Sequence, residues 1–315
     1  KDAVMAALNE GALVITGGPG TGKTTIIRFI TAIMESMGLD VELTAPTGRA
    51  AKRMNDATGH DARTIHRLLE YIPGEGFLRN GDDPLLCDMV IVDEMSMVDV
   101  PLMHALLKAI PVGTRLIMVG DSDQLPSVGA GEVLRDIIAS STIRVERLNE
   151  IFRQAQESMI VTNAHRINEG FAPLLDLEES DFLFEDIPSQ DRILDRILEL
   201  CSRPRGVLAT SDPLMDVQVL APMKKGVLGV WNINAKLQQA LNPSDAGKHE
   251  HISGDVTFRE GDRVMQMKNN YRVEWKRRTP SGGTEEGTGA FNGDLGTIFR
   301  LSEQERTISV LFDDD

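Results

Sequence analysis

Residues 11–26 of the chain read Gly-Ala-Leu-Val-Ile-Thr-Gly-Gly-Pro-Gly-Thr-Gly-Lys-Thr-Thr-Ile, an apolar run followed by a glycine-rich loop and the start of a helix pattern. The loop matches G-x-x-x-x-G-K-[ST], in which successive backbone N–H groups turn toward phosphate oxygens. Lys23 can reach the β- and γ-phosphates, and the Thr24 hydroxyl can bind Mg²⁺. The segment therefore predicts a nucleoside triphosphate site behind a buried strand. The predicted nucleotide-binding residues are Gly18, Pro19, Gly20, Thr21, Gly22, Lys23, Thr24 and Thr25.

The chain has 315 residues, enough for two domains and a small third one. Its formal net charge of −15 argues, taken alone, against a nucleic-acid partner. The acid is unevenly spread, however, with nine acidic residues against two arginines in residues 174–199, so local grooves decide the partner. No apolar run reaches the ~18 residues that would indicate a membrane span. Cys87 and Cys201 lack metal-ligand spacing and are predicted to be buried thiols in a reducing cytoplasm.

Strand-like and helix-like segments alternate through the first half of the chain. Apolar runs at 13–16, 41–45, 89–92 and 115–119 are separated by amphipathic helix patterns. This alternation predicts an α/β fold in which a parallel sheet is covered by helices on both faces. Ligands of such sheets bind at the carboxyl ends of the strands, where the glycine-rich loop lies.

The second half of the chain has a different pattern. Residues 217–221 read as a strand, and short β-type runs separated by Gly, Asn and Asp turns begin at about Gly254. These runs predict a small antiparallel barrel. The glycine-rich stretch 282–289 is expected to be a loop.

Polar residues follow the two later strands of the predicted sheet. Asp93 and Glu94 come directly after the run Val-Ile-Val, so Asp93 is predicted to hold Mg²⁺ and Glu94 to activate the attacking water. Gln124 follows the next strand and is placed to contact the γ-phosphate or its water. Arg153 lies where the first domain should end and is a candidate arginine finger, although a surface arginine is the alternative.

Two further segments combine hydroxyls with basic groups at predicted helix starts. The first holds Pro46, Thr47 and Arg49, and the second holds Thr64 and His66. Such groups suit the phosphates of an oligonucleotide. Simple helix capping by the threonines is the alternative.

Taken in order, these segments resemble the helicase motifs I, Ia, Ib, II, III and IV of superfamily 1, in the RecD-like branch. The motifs are Gly-Gly-Pro-Gly-Thr-Gly-Lys-Thr-Thr, Thr-Ala-Pro-Thr-Gly-Arg-Ala-Ala, Thr-Ile-His-Arg-Leu-Leu, Val-Asp-Glu-Met-Ser-Met-Val-Asp, Gly-Asp-Ser-Asp-Gln-Leu-Pro-Ser-Val-Gly-Ala-Gly and Phe-Arg-Gln. The later segments 219–226, 241–243, 261–266 and 291–296 also resemble this family, the exodeoxyribonuclease V alpha-subunit family.

The resemblance implies an ATP- and Mg²⁺-dependent DNA helicase that moves 5′-to-3′ on single-stranded DNA in recombination or repair. It implies a RecA-like domain over 1–150 with a strand-splitting hairpin at about 70–86, a partial second RecA-like domain over 151–253, and an SH3-like domain over 254–315. Its expected partners are single-stranded DNA and duplex forks, with RecB- and RecC-like subunits as a further option and no membrane, in a bacterial cytoplasm.

The family's late motifs, and a glutamine expected just before Lys1, are absent from the sequence. We therefore expect the chain to be truncated at both ends and not to unwind DNA alone. Alternative interpretations are the motor subunit of a RecBCD-type complex, the helicase part of a conjugative relaxase, a P-loop kinase and a non-catalytic DNA-binding subunit. A nuclease is disfavoured because no acidic-plus-lysine constellation stands outside the ATPase motifs.

Overall fold

The structure is a computed structural model that describes residues 1–150, 157–175, 180–203, 212, 214–278, 283–290 and 292–312. The chain divides into two compact units, Lys1–Phe182 and Leu183–Asp315. The sequence-based domain boundaries at 150 and 253 stay predictions. No helix in the described ranges is long and apolar enough to cross a membrane.

A parallel sheet forms the centre of the first unit. Its strands are β1 Ala12–Gly17, β2 Val41–Ala45, β3 Ala62–Thr64, β6 Met89–Val92, β7 Arg115–Gly120 and β8 Arg144–Leu148. They lie side by side in the order β3-β2-β6-β7-β1-β8, and every neighbouring pair is parallel. The strand that precedes the glycine-rich loop is thus separated from the Asp93-Glu94 strand by β7. The predicted α/β fold with a parallel sheet is confirmed.

Helices cover the sheet on both faces. The helices described in this unit are α1 Asp2–Asn9, α2 Lys23–Ser36, α3 Gly48–Thr58, α4 Ile65–Leu68, α5 Val100–Ala109, α6 Val133–Ser140 and α7 Met159–Asn168, with a 3₁₀ turn at Met95–Met97. Alternate residues of β1 enter different cores: Leu13 and Ile15 pack with α1 and α2, and Val14 packs with α4 and α5. Each fully buried side chain of this kind stabilises the unit by roughly 1.5–3 kcal/mol. Burial on both faces explains the continuous apolar runs in the sequence.

A short β-hairpin, β4 Tyr71–Ile72 and β5 Gly76–Phe77, follows α4. The rings of His66, Tyr71 and Phe77 meet at its base, with centroids 5.0 to 5.7 Å apart. Behind the hairpin, Arg79 forms ion pairs with Glu70 and Asp83. The hairpin therefore projects from an aromatic base that is continuous with α4.

The described residues of the second unit form two helices and three small antiparallel sheets. Its elements are α8 Gln190–Ser202, α9 Val230–Leu241, β9 Glu250–Ser253, β10 Val256–Arg259, β11 Arg263–Met265, β12 Asn270–Arg278, β13 Thr284–Ala290, β14 Leu295–Ser302 and β15 Thr307–Phe312. β9 pairs with β10, β12 pairs with β13, and β14 lies between β11 and β15. The β-rich texture expected from Gly254 onward is present.

Two local expectations in this unit are wrong. Residues 217–221 form no strand, and Leu220 is 88% exposed, because no described segment pairs with them. The stretch 282–289, expected to be a loop, instead belongs largely to β13. β13 pairs antiparallel with β12, and cross-strand ion pairs of Lys276 with Glu286 and of Arg277 with Glu285 lie across the pair. Tertiary pairing thus overrides the weak strand propensity of the glycines.

Candidate active site

The glycine-rich loop connects the end of β1 to the start of α2. Gly20 and Gly22 have φ values of 75° and 81°, a left-handed conformation that glycine adopts without a steric penalty. Lys23 Nζ donates hydrogen bonds to the carbonyl oxygens of Gly17, at 2.5 Å, and Gly18, at 3.0 Å. Thr21 Oγ1 donates to the same Gly18 oxygen at 2.8 Å. The ammonium group therefore lies over the loop that carries it.

The loop fits a polyphosphate. A Cβ added at Gly17 would lie 2.7 Å from Thr21 Oγ1 and 2.9 Å from the Cβ of Leu148, so only glycine allows the loop to close this tightly. The amino end of α2 opens from the same loop and carries the positive end of the helix dipole. Backbone donors, a lysine and a helix terminus are the groups that bind the phosphates of ATP.

Asp93 follows β6 at the same edge of the sheet. Its carboxylate accepts a hydrogen bond from the backbone N–H of Glu94 at 2.8 Å, and its own N–H donates to Thr44 at 2.9 Å. Burial raises the pKa of the Asp93 carboxyl, while the Glu94 N–H and the positive charges of Lys23 and Arg53 counteract the rise. The folded chain thus brings the Lys23 ammonium and the Asp93 carboxylate into electrostatic contact.

Magnesium would be held by few protein groups. The Thr24 side chain is exposed at the start of α2, and Asp93 supplies the carboxylate. Among the residues that the structure describes, no cluster of three or more His, Cys, Asp or Glu side chains is placed to bind a metal ion. This donor set suits a Mg²⁺ ion that is bound mainly through substrate phosphates and water.

Glu94 adopts an unusual backbone conformation and forms an ion pair that the sequence did not reveal. Its φ of 54° lies in the left-handed region, which costs a non-glycine residue roughly 1–3 kcal/mol and is concentrated at functional sites. Its carboxylate lies 2.6 Å from the guanidinium of Arg53, whose side chain is 67% exposed. Arg53 lies on α3, which follows the segment predicted to contact DNA. The predicted catalytic carboxylate is therefore linked to that helix.

The loop after β7 follows the strand that lies between β1, which leads into the glycine-rich loop, and β6, which leads into Asp93 and Glu94. Asp121 is buried and accepts hydrogen bonds from the N–H of Asp123 at 3.0 Å and from the Gln124 side chain at 3.4 Å. The N–H of Ser122 donates to Thr16 Oγ1 at 3.2 Å, which ties this loop to the end of β1. Gln124 thus lies on a turn that Asp121 orders and that Ser122 ties to the end of β1.

The residues predicted to contact DNA have structural roles of their own. Thr47 caps α3 by accepting from the Ala50 N–H, and Thr64 caps α4 by accepting from the Arg67 N–H. Pro46 is half-buried before the first cap, and Arg49 is exposed on the first turn of α3. Capping fixes the geometry of both segments, and their contact with DNA stays a prediction.

His66 is packed into the base of the hairpin. Burial lowers the pKa of its imidazole, and the negative charge of Asp99 only partly offsets this effect. A neutral ring that packs edge-on against Tyr71 and tilted against Phe77 braces the hairpin. DNA binding by His66 would therefore rely on its ring and not on a positive charge.

Of two further residues, Arg153 was predicted from the sequence and His165 was not. Arg153, the candidate arginine finger, lies outside the described residues. His165 of α7 was not predicted, yet its ring lies against Gly18 of the glycine-rich loop. No local pattern in the sequence identifies His165, because its position depends on how α7 packs.

Two family models match the chain. One, described as an AAA domain, matches residues 1–130 and thus covers the glycine-rich loop and the Asp93-Glu94 strand. The other, described as the SH3 domain of ATP-dependent RecD-like DNA helicases, matches residues 233–312. The second match covers all of the strands of the second unit.

The matches to curated relatives cover nearly all of this chain but only part of each relative. An ATP-dependent RecD2 DNA helicase from Deinococcus radiodurans is 38% identical over 94% of the chain and 37% of its own length. RecBCD enzyme subunit RecD from Mycolicibacterium smegmatis is 30% identical over 98% of the chain and 58% of its own length. The chain therefore spans about a third to a little over half of these relatives.

Among solved structures, the Pif1 helicase from Candida albicans is similar to the chain. The similarity covers 99% of this chain and 74% of that one, with 18% sequence identity and a TM-score of 0.42. At that score, the similarity is too weak to bear on function.

Proposed function

Because the chain belongs to the RecD-like family of superfamily 1 helicases, we propose that its protein couples ATP hydrolysis to 5′-to-3′ movement on single-stranded DNA and to duplex unwinding. The observation that supports this best is the alignment of three strand ends. β1, β7 and β6 are neighbours, and they carry Lys23, Gln124 and the pair Asp93-Glu94 at one edge of the sheet.

Each of these side chains has a distinct role in the proposed reaction. Bound Mg·ATP supplies the phosphoanhydride bond whose cleavage drives movement. Lys23 neutralises charge on the phosphates, Thr24 and Asp93 hold the metal ion, and Glu94 accepts the proton of the attacking water. Gln124 orients that water or the phosphate, and Arg153 adds positive charge as the bond breaks.

The DNA path is proposed along Pro46, Thr47, Arg49, Thr64 and His66, which precede or begin α3 and α4. A motor that steps along any sequence needs contacts to the backbone and stacking more than contacts to base edges. Binding should therefore weaken with salt and vary little with sequence. A strong, salt-insensitive preference for one short sequence would contradict this path.

The biological setting is DNA recombination or repair in a bacterial cytoplasm. The relatives include both a RecD2 helicase and RecD subunits of RecBCD enzymes, so association with RecB- and RecC-like subunits is the second candidate function. Co-purification of the full-length protein with such subunits would favour the complex. Unwinding by the isolated full-length protein at about the rate of the assembled complex would favour the autonomous helicase.

The direct test is unwinding of forked DNA by the full-length protein. Duplexes with a 5′ single-stranded tail should be unwound in the presence of ATP and Mg²⁺, and duplexes with only a 3′ tail should not. The Lys23→Ala variant, which lacks the phosphate-binding ammonium, should lose ATP hydrolysis and unwinding while its circular dichroism is unchanged. ATPase activity that DNA fails to stimulate would instead favour a P-loop kinase or phosphotransferase.

The hairpin β4–β5 is proposed as the element that separates the strands at the fork. Replacing residues 72–76 with Asn-Gly joins Tyr71 to Phe77 through a two-residue turn and keeps the aromatic base. Hydrolysis stimulated by single-stranded DNA should persist, while unwinding should fall about tenfold or more, since translocation no longer drives a wedge. Unwinding at the parental rate would assign strand separation to another element.

A further inference from the structure

The ring of His165 lies directly against the glycine-rich loop. A Cβ added at Gly18 would lie 2.7 Å from His165 Cε1 and 3.3 Å from His165 Nε2. Only a glycine therefore fits beneath the imidazole. His165 comes from α7, well beyond the motifs that identify the nucleotide site, so the contact exists only in the folded chain.

The Nε2 nitrogen of this ring is buried. Nε2 of His165 has no hydrogen-bond partner within the part of the chain that the structure describes. Leaving a buried polar atom unpaired is unfavourable, and such atoms in native proteins commonly serve a ligand or an ordered water. The Gly18 carbonyl accepts from Lys23 Nζ at 3.0 Å, so the histidine lies beside the phosphate-binding lysine.

α7 is braced by hydrogen bonds to the segment that follows it. At its amino end, the Asp181 carboxylate accepts from Ser158 Oγ at 2.5 Å and from the N–H of Met159 at 2.7 Å. In its middle, the buried Asn163 side chain exchanges two hydrogen bonds with the backbone of Leu174, at 2.9 and 2.7 Å. These bonds order α7 itself, and the contact of His165 with Gly18 joins the helix to the glycine-rich loop.

The geometry points to His165 as a positioning residue of the nucleotide site. Its ring buttresses Gly18, and its Nε2–H donates a hydrogen bond to the terminal phosphate of a nucleoside triphosphate. This role rests on the proposed ATP-dependent function and adds to it a residue that distinguishes triphosphate from diphosphate. Lys23 is predicted to reach the β- and γ-phosphates, so the discrimination by His165 adds to the preference for triphosphate that Lys23 gives.

The test is a comparison of nucleotide affinities in the full-length protein. Dissociation constants for adenosine 5′-(β,γ-imido)triphosphate and for ADP, both with Mg²⁺, are measured by calorimetry without turnover. His165→Ala should weaken binding of the triphosphate analogue by about tenfold or more, the effect expected for a hydrogen bond to a charged group. ADP binding should change by less than about twofold, within the ordinary scatter of such effects.

Two conservative variants separate hydrogen bonding from packing. The Gln amide reaches about as far as His Nε2, so His165→Gln should retain the preference for the triphosphate. The shorter His165→Asn should lose it. His104→Ala, which removes an exposed histidine on α5, is the matched control and should change neither affinity.

A double-mutant cycle tests the contact between His165 and Gly18 separately from the hydrogen bond to phosphate. Gly18→Ala should weaken nucleotide binding strongly because its Cβ meets the His165 ring, and the loss should be smaller in a His165→Ala background. Additive losses in the cycle would overturn the proposal. Equal losses of triphosphate and ADP affinity in His165→Ala would overturn it as well. Failure of the wild-type protein to bind either nucleotide would refute the proposed function instead.

Discussion

The two units of this chain are stabilised by different means. All of the largest fully buried side chains are apolar and lie in the first unit, on both faces of the parallel sheet. The second unit buries few apolar side chains among its described residues but also buries Asn242, Arg259 and Asp262. The first unit therefore gains most of its stability from apolar packing, and the polar side chains of the candidate site lie at the strand ends. The second unit depends on polar groups that satisfy one another.

The polar groups of the second unit form one network around Asp262. Its carboxylate accepts from Asn242 Nδ2 at 2.7 Å, from Gln238 Nε2 at 2.6 Å and from the Arg259 N–H at 2.7 Å. Lys248 donates to Asn242 Oδ1 at 2.5 Å. The network joins the end of α9 to β10 and the turn before β11. Two of the segments that resemble the RecD-like family, 241–243 and 261–266, thus meet here in a structural role.

The largest effect is expected where this network is cut. Asp262→Ala leaves three N–H groups without their acceptor, and at roughly 1–3 kcal/mol for each unsatisfied buried donor the second unit should lose about 3 kcal/mol or more of stability. Hydrogen exchange should show loss of protection from Val230 to Phe312 and unchanged protection in the first unit. Asp255→Ala, in the exposed turn between β9 and β10, is the control. Uniform loss across both units would show that the two cores are not independent.

Catalysis offers the opposite test, on the first unit alone. Glu94→Gln keeps the size and hydrogen-bonding capacity of the side chain but removes the base, so hydrolysis should fall at least ~10²-fold. Affinity for Mg·ATP should stay within about twofold of the parental value, because the phosphate contacts remain. Steady-state ATPase assays and calorimetry measure the two quantities. Turnover at the parental rate would assign the water to another residue.

The two cysteines, one in each unit, report how each core opens. Burial raises the pKa of the Cys87 thiol to about 11, helped by the negative charges of Glu42, Asp88 and Asp40, and burial also raises the pKa of Cys201. Since the thiolate is the reactive form, alkylation of Cys87 in the folded protein should rise about tenfold per pH unit between pH 7 and 10.

Denaturant should then distinguish the units by the order of labelling. Cys201 should react at a lower urea concentration than Cys87, because its unit buries less apolar surface. Mass spectrometry of labelled peptides measures both sites in one sample, with Cys87→Ser as the control for assignment. Simultaneous labelling would indicate that the units unfold together.

The smallest effect is expected from the exposed ion pair of the catalytic edge. Arg53→Gln removes the 2.6 Å contact with Glu94, but exposed pairs contribute only about 0.2–1 kcal/mol, so hydrolysis should change less than about fivefold. Arg259→Gln removes a pair with Glu250 in which the arginine side chain is only 10% exposed, and should cost the second unit more stability. Equal stability losses in thermal unfolding would contradict the contrast between the units.

The sequence by itself determined the features that contiguous residues encode. The strand, loop and helix around Lys23 follow from an apolar run, positive-φ glycines and a helix start, all within about one turn of each other. The placement of Asp93 and Glu94 at a strand end follows in the same way. That the sheet is parallel and covered by helices could be predicted too, because alternating strand and helix patterns allow few other arrangements.

Only the tertiary structure decided which distant residues meet. The position of β7 between β1 and β6, the pairing of Arg53 with Glu94 and the contact of His165 with Gly18 each depend on packing between separate elements. The same holds for β13, which forms by antiparallel pairing with β12. Local propensity contains no information about such partners, since side-chain pairing energies arise only once the chain has brought two segments together.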